Sequence, residues 1–146
     1  VPHNQAILGQ AMQNGPVLLV WDAVLRDARH PERSHNVVYH EFAHILDMRD
    51  GTADGTPQLQ TTKLYKAWVE VCTREYFRLQ KRSGAGKKTM LDPYGAVHEA
   101  EFFAVATELF FDRPRQMRRE RPELYEVLAA YYRQDTAARK DRFDNE

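Results

Sequence analysis

The sequence His40-Glu41-Phe42-Ala43-His44 contains the pattern H-E-x-x-H, and no other feature limits the possible fold and chemistry of the chain so strongly. On a helix, His40 and His44 lie one turn apart on the same face, so their imidazoles can bind one metal ion. Glu41 directly follows the first histidine, where its carboxylate can take a proton from an activated water. Imidazole nitrogen is a preferred ligand of Zn²⁺. The pattern therefore predicts a zinc site on a helix, with Glu41 as general base.

The residues around the motif favour a helix that begins after Asn36 and ends near Arg49. Asn36 is a suitable N-cap, and neither Pro nor Gly interrupts the segment. Val38, Phe42 and Ile45 are expected to pack inward, while the polar residues of the motif line a cleft. A buried histidine pair on an ordinary amphipathic helix is the alternative, but it leaves the intervening glutamate without a role.

Length and composition favour one domain. The chain has 146 residues, and its 21 Lys and Arg balance 21 Asp and Glu, so we expect no direct binding to nucleic acid. No run approaches 18 apolar residues, so no segment is expected to cross a membrane. Cys72 is the only cysteine and cannot form an internal disulfide. A reducing compartment and a cytoplasmic location are therefore expected.

The pattern of apolar residues predicts an α+β domain that is mostly helical and has a small sheet. The predicted elements besides the motif helix are a buried strand at residues 17–21, a short helix at 22–28, and helices at 62–82, at 99–112 and from Pro122 onward.

Two further segments carry positive charge, and neither predicts a binding site. Residues 113–122 are basic but have no interleaved aromatic residues, so they are expected to be a solvated link between helices. Gly84 and Gly86 precede Lys87 and Lys88, but the spacing of a phosphate-binding loop is absent.

A catalytic zinc site needs a third protein ligand, and the residues leave three candidates. His98 lies in the turn before the predicted helix 99–112, while Glu101 and Glu108 lie on one face of it, two turns apart. Glu101 is slightly favoured because it is nearer the Tyr94-Gly95 turn. Glu108 is expected to be a surface charge or to support a ligand from behind. Asp47, three residues after the second motif histidine, could orient an imidazole or cap the helix end.

The segment Tyr94-Gly95-Ala96-Val97-His98-Glu99-Ala100-Glu101-Phe102-Phe103-Ala104 resembles the signature around the zinc-binding glutamate of the Mlc titration factor A peptidases. The same signature occurs in the catalytic domain of anthrax lethal factor. Gly15-Pro16-Val17, Leu19-Val20-Trp21 and the residues from His40 to Asp47 are similar to the titration factor as well. The resemblance covers most of residues 15–112.

The resemblance implies a zincin-like metallopeptidase domain of the gluzincin type. It makes His40, His44 and Glu101 the zinc ligands and Glu41 the catalytic base. Tyr94 matches a tyrosine that faces the metal, where its hydroxyl can donate to the oxyanion. A packed turn aromatic is the alternative for Tyr94. Residues 1–146 are then expected to form a single catalytic domain that lacks an N-terminal part of the family.

Two functions follow as expectations. The resemblance implies hydrolysis of short peptides by zinc-activated water, with aminopeptidase-like action. The residues alone indicate only hydrolysis of a peptide or amide bond. The alternative is a binding module, in which a zinc site gates the binding of a transcriptional repressor such as Mlc. An intact Glu41 favours the enzyme, because a structural zinc site does not need a base.

Overall fold

Five α-helices make up most of the described part of this computed structural model, which comprises residues 9–10, 18–19, 37–51 and 54–139. They are α1 (Val37–Asp47), α2 (Thr62–Gly84), α3 (Glu99–Asp112), α4 (Pro114–Glu120) and α5 (Pro122–Tyr132). Short 3-10 turns occupy Met48–Asp50, Pro93–Ala96 and Thr136–Ala138. Among these helices none is both long and apolar enough to cross a membrane.

Two short strands, β1 (Gly9–Gln10) and β2 (Leu18–Leu19), pair in antiparallel fashion. Gly9 lies opposite Leu19, and Gln10 lies opposite Leu18. Strands usually run for about 5–6 residues, so this pair alone does not establish the expected small sheet. The mostly helical character of the domain is confirmed, whereas the predicted helix at 22–28 lies outside the described residues.

Helix α3 lies at the centre of the hydrophobic core. Every residue from Ala100 to Phe110 is buried except Glu101, which is partly exposed. The sequence explains this position, because Phe, Ala, Val and Leu occupy all faces of the helix and not only one. Helix α1, the Pro93–Ala96 turn, α4 and α5 all pack against α3. Residues on α3 are therefore held rigidly on several sides.

The structure corrects two expectations about individual segments. Residues 113–122 are not simply a solvated link, because they contain α4, whose Met117 is fully buried. Pro114 and Pro122 each stand in the first turn of a helix, where the missing N–H has no cost.

The second correction concerns α1. Phe42 is 51% exposed rather than packed inward, and the small Ala43 contacts the core instead.

The loop after α1 is pinned to the core by Asp47. Its buried carboxylate accepts hydrogen bonds from the backbone N–H groups of Asp54, at 3.3 Å, and Gly55, at 2.8 Å. The Gly55 carbonyl accepts a hydrogen bond from Trp68 Nε1 at 3.2 Å. Gly55 has φ +79°, and a Cβ there would lie 2.4 Å from the Glu99 carbonyl oxygen. The loop thus passes directly beside the first turn of α3, in a conformation that suits only glycine.

Replacing Gly55 by alanine is expected to destabilise the domain by roughly 2–4 kcal/mol, because the new Cβ adds both backbone strain and a backbone clash. Gly84 is the matched control, since a Cβ there meets no atom within 4 Å. The change Gly84→Ala is expected to alter stability by no more than about 1 kcal/mol. Urea unfolding of both variants measures the difference, and equal midpoints would contradict this description of the loop.

Candidate metal centre

Helices α1 and α3 bring His40, His44 and Glu101 into one cluster. The Nε2 atom of His40 lies 2.8 Å from Glu101 Oε2, although 61 residues separate them in the chain. The Nε2 atom of His44 lies 3.3 Å from the same oxygen and 3.2 Å from Glu101 Oε1. One ligand atom from each residue can be chosen so that all lie within 4.8 Å of one another. This arrangement could hold a metal ion.

The spacing of the motif on α1 determines which side chains face the cluster. His40 and Glu41 are each only 6% exposed, and the His40 and His44 rings meet edge to face with centroids 4.8 Å apart. The fully buried Ala43 lets α1 approach α3 closely. The predicted helix around the H-E-x-x-H motif is therefore confirmed. Glu41, which directly follows His40 in the sequence, is buried.

The start of α3 separates Glu101 from His98. His98 is the N-cap of α3, and its Nδ1 accepts a hydrogen bond from the Ala100 N–H at 3.0 Å. Its side chain is 56% exposed, and its Nε2 lies 3.8 Å from Glu99 Oε2. His98 is thus used as a helix cap and does not join the cluster, whereas Glu101, on the first turn of α3, does.

Glu108 lies behind His40, on the side away from Glu101. Its carboxylate is fully buried, and its Oε1 is 3.2 Å from His40 Nδ1. The two nitrogens of the His40 ring therefore face two different carboxylates, both from α3. A surface position, one of the two roles predicted from the sequence, is wrong for Glu108, and support of a ligand from behind agrees with the geometry.

A tight turn, Pro93–Ala96, determines the position of the Tyr94 side chain. The Asp92 carboxylate accepts a hydrogen bond from the Tyr94 N–H at 2.9 Å and so caps the Pro93–Ala96 turn. A Cβ on the buried Gly95 would lie 3.2 Å from Leu79 Cδ2, so glycine lets the turn pack against α2. The Tyr94 ring centroid lies 6.1 Å from that of His40. Tyr94 is half exposed at the rim of the cluster and is not a purely packed aromatic.

Charges in the cluster favour a cation at its centre. Burial alone would lower the pKa of His40, but hydrogen bonds to Glu101 and Glu108 raise it to about 9. Burial alone would raise the pKa of Glu101, but hydrogen bonds from His40 and His44 lower it to about 2. Burial, together with the carboxylates of Glu101 and Glu41, raises the pKa of the Tyr94 hydroxyl. Because Glu101 and Glu108 stabilise positive charge on the His40 ring, the cluster also suits a bound cation.

Asp47 does not belong to the cluster. Its hydrogen bonds go to the backbone of the loop after α1, and within the described residues none joins it to His40 or His44. Burial raises the pKa of its carboxyl to about 6. The predicted role of orienting an imidazole is therefore not seen, and Asp47 instead fixes the segment that follows the motif helix.

Comparison with known proteins agrees with this geometry. Residues 1–133 match the family model described as glucose-regulated metallo-peptidase M90. An uncharacterised protein of Synechocystis sp. is 39% identical over 118 residues, which cover 81% of this chain and 43% of that protein. The Mlc titration factor A of Edwardsiella ictaluri is 36% identical, over 90% of this chain and 50% of its own length. That of Yersinia enterocolitica is 34% identical, over 94% and 52%.

The chain spans about half the length of the curated relatives it matches. The match nevertheless covers α1, the Pro93–Ala96 turn and α3, which together carry every residue of the cluster. A family of metallopeptidases is also what the chemistry of two histidines, a neighbouring carboxylate and a buried glutamate leads one to expect. The chain belongs to the glucose-regulated metallo-peptidase M90 family.

Proposed function

We propose that this chain is a zinc-dependent peptidase of the gluzincin type, and that residues 1–146 form a single zincin-like catalytic domain. One observation carries the proposal. Two histidines one turn apart on α1 and a glutamate from α3 converge on one point, and the buried Glu41 stands next to the first histidine. A structural metal site needs no such additional carboxylate.

The donor atoms fit zinc. Two imidazole nitrogens and one carboxylate oxygen form a common protein ligand set of catalytic zinc, which leaves further coordination open. Two ligands on the same tetrahedral zinc lie about 3.4 Å apart. Here His44 Nε2 lies 3.2 Å from Glu101 Oε1, and His40 Nε2 lies 2.8 Å from Glu101 Oε2, so the second pair would separate slightly around an ion. When bound, zinc supplies a Lewis acid that polarises the scissile carbonyl and makes water more acidic.

Two side chains beside the cluster, Glu41 and Tyr94, have separate roles in the reaction. The Glu41 carboxylate accepts a proton from the attacking water and returns it to the leaving amine nitrogen. The Tyr94 hydroxyl donates a hydrogen bond to the carbonyl oxygen as negative charge develops there. Burial raises the pKa of Tyr94, which keeps the hydroxyl protonated and able to donate.

The change Tyr94→Phe is expected to lower kcat by about 10²-fold with a smaller change in KM, because the hydrogen bond strengthens only in the transition state. Phenylalanine keeps the ring beside His40, so folding is expected to survive. Steady-state kinetics measures the effect, and Tyr65→Phe is the control, since Tyr65 is similarly exposed but lies on α2 outside the cluster. An unchanged kcat in Tyr94→Phe would exclude a catalytic role for the Tyr94 hydroxyl and leave the ring with a packing role only.

Glu108 positions the His40 ring. By accepting a hydrogen bond from Nδ1–H, it leaves Nε2 free of a proton for the metal and fixes the plane of the imidazole. The change Glu108→Leu is expected to weaken zinc affinity by about 10–100-fold. The change Glu108→Gln keeps an acceptor and is expected to lose less. Competition with a zinc-binding dye measures affinity, and unchanged affinity in a folded Glu108→Leu protein would contradict the positioning role.

A peptidase assay tests the proposal as a whole. Aminoacyl anilides and internally quenched peptides are the two substrates, because they distinguish aminopeptidase-like action from cleavage within a chain. Hydrolysis is expected to stop when a chelator removes the metal and to return when zinc is added back. Activity that persists in the metal-free protein would overturn the proposal.

A second function is favoured by the names of the relatives. Several are called Mlc titration factor A, so the chain is a candidate for binding the repressor Mlc or a similar protein. Such binding requires a cytoplasmic location, as predicted from the single cysteine. The two functions separate in the Glu41→Gln variant, which is expected to lose hydrolysis and to keep any binding of the repressor.

A further inference from the structure

A pocket away from the metal centre is lined by positively charged side chains. It encloses about 450 Å³, including the solvent at its mouth. Helix α2, the segment 88–91 and the junction between α4 and α5 form its walls. None of its lining residues belongs to the cluster of His40, His44 and Glu101.

The charges around this pocket are not balanced. Arg78, Arg82, Lys88 and Arg121 line it together with one carboxylate, that of Glu75, which leaves a net charge of +3. The Glu75 side chain is 5% exposed, and its Oε2 lies 3.4 Å from Arg121 Nε. In the part of the chain that the structure describes, Arg78 and Lys88 take part in no ion pair.

Internal contacts hold two of these cations, Arg82 and Arg121, in place before any ligand arrives. The guanidinium of Arg82 donates a hydrogen bond to the Lys88 carbonyl at 3.1 Å, which ties the segment after α2 back onto the helix. Glu75 fixes Arg121 from inside the protein. Buried Leu79 and Leu91 add an apolar wall. Because these two guanidinium groups are already placed, a ligand would lose little free energy in ordering them.

We propose that this pocket binds a small phosphate-bearing molecule that carries an apolar group beside the phosphate. Arginine guanidinium groups donate paired hydrogen bonds to phosphate oxygens, and a charge of +3 suits a dianion better than a single carboxylate. Leu79 and Leu91 offer contact to the apolar group. The sequence did not predict this site, because Lys88 and Arg121 come from two segments that each lack a phosphate-binding pattern.

Calorimetric titration of the full chain in phosphate-free buffer tests the proposal. Phenyl phosphate and benzoate are the probes, because they share a ring and differ in the anionic group. Phenyl phosphate is expected to bind saturably, at least about tenfold more tightly than benzoate, and to weaken as salt is added. Arg78→Gln is the main variant, because Arg78 is exposed and its replacement is expected to leave the fold unchanged. Arg118→Gln is the control, since Arg118 is exposed outside the pocket.

The change Arg78→Gln is expected to weaken binding of phenyl phosphate by about tenfold, because a charge-assisted hydrogen bond is lost. The change Arg118→Gln is expected to leave it unchanged. Absence of saturable binding would overturn the proposal, as would equal affinity of the parent and Arg78→Gln, which would place the phosphate elsewhere, for example at the metal. Equal affinity for benzoate would overturn the preference for phosphate. Both variants are compared by binding and not by hydrolysis, so failure of this proposal is distinguishable from failure of the proposed peptidase activity.

Discussion

The change Glu41→Gln is expected to lower kcat by roughly 10²–10⁴-fold, which is the usual contribution of a general base. Glutamine has nearly the same shape as glutamate, so the packing of α1 against α3 is expected to remain. The glutamine amide cannot accept a proton from water at neutral pH. The decrease in kcat is therefore expected to come from a slower chemical step. Zinc binding is expected to stay close to that of the parent, because His40, His44 and Glu101 are unchanged.

Kinetics and metal content measured on the same preparation decide this prediction. Glu99→Gln is the matched control, because Glu99 lies on the first turn of α3 but its side chain is 59% exposed. The control variant is expected to keep both activity and metal. If Glu41→Gln hydrolyses peptides as fast as the parent does, Glu41 has no role as base and the proposed mechanism fails.

The change Glu101→Gln is expected to abolish stable zinc binding and, with it, hydrolysis. The amide oxygen is neutral and a much weaker ligand than a carboxylate, and the two histidines alone leave the metal poorly held. The loss of affinity is expected to exceed the roughly 10–100-fold that is typical of residues behind the ligands. Titration with a competing chelator measures it, with Glu99→Gln again as the control. Parent-like zinc affinity in Glu101→Gln would remove this residue from the ligand set.

Much of the helical framework could be predicted because local signals agree with the final packing. The predicted helix 99–112 has the bounds of α3, since the Tyr94-Gly95 turn precedes it and Pro114 follows it. The H-E-x-x-H spacing predicted that two histidines share a face, and Glu101, the slightly favoured third candidate, lies beside them in the structure. These features depend on residues a few positions apart, which a sequence pattern can read directly.

Other features depend on contacts between distant segments, and local patterns did not reveal them. Glu108 looks like a surface charge in the sequence, but other elements pack against α3 on several sides and this carboxylate is fully buried. Met117 lies in a basic segment, yet it anchors α4 in the core. Phe42 was expected inside, but Ala43 occupies the contact because α1 and α3 approach closely. One sequence feature could have indicated that Glu108 is buried: the residues around it on every face of the helix are mostly apolar.

The most direct test of the central claim is a crystal structure of the zinc-loaded chain with anomalous scattering recorded at the zinc edge. One peak is expected within about 2.0–2.2 Å of His40 Nε2, His44 Nε2 and a Glu101 carboxylate oxygen, with no fourth protein ligand. Open coordination of this kind agrees with a catalytic site, whereas four protein ligands would indicate a structural one. A peak at Glu108 or His98, with Glu101 turned away, would contradict the assignment of the metal centre.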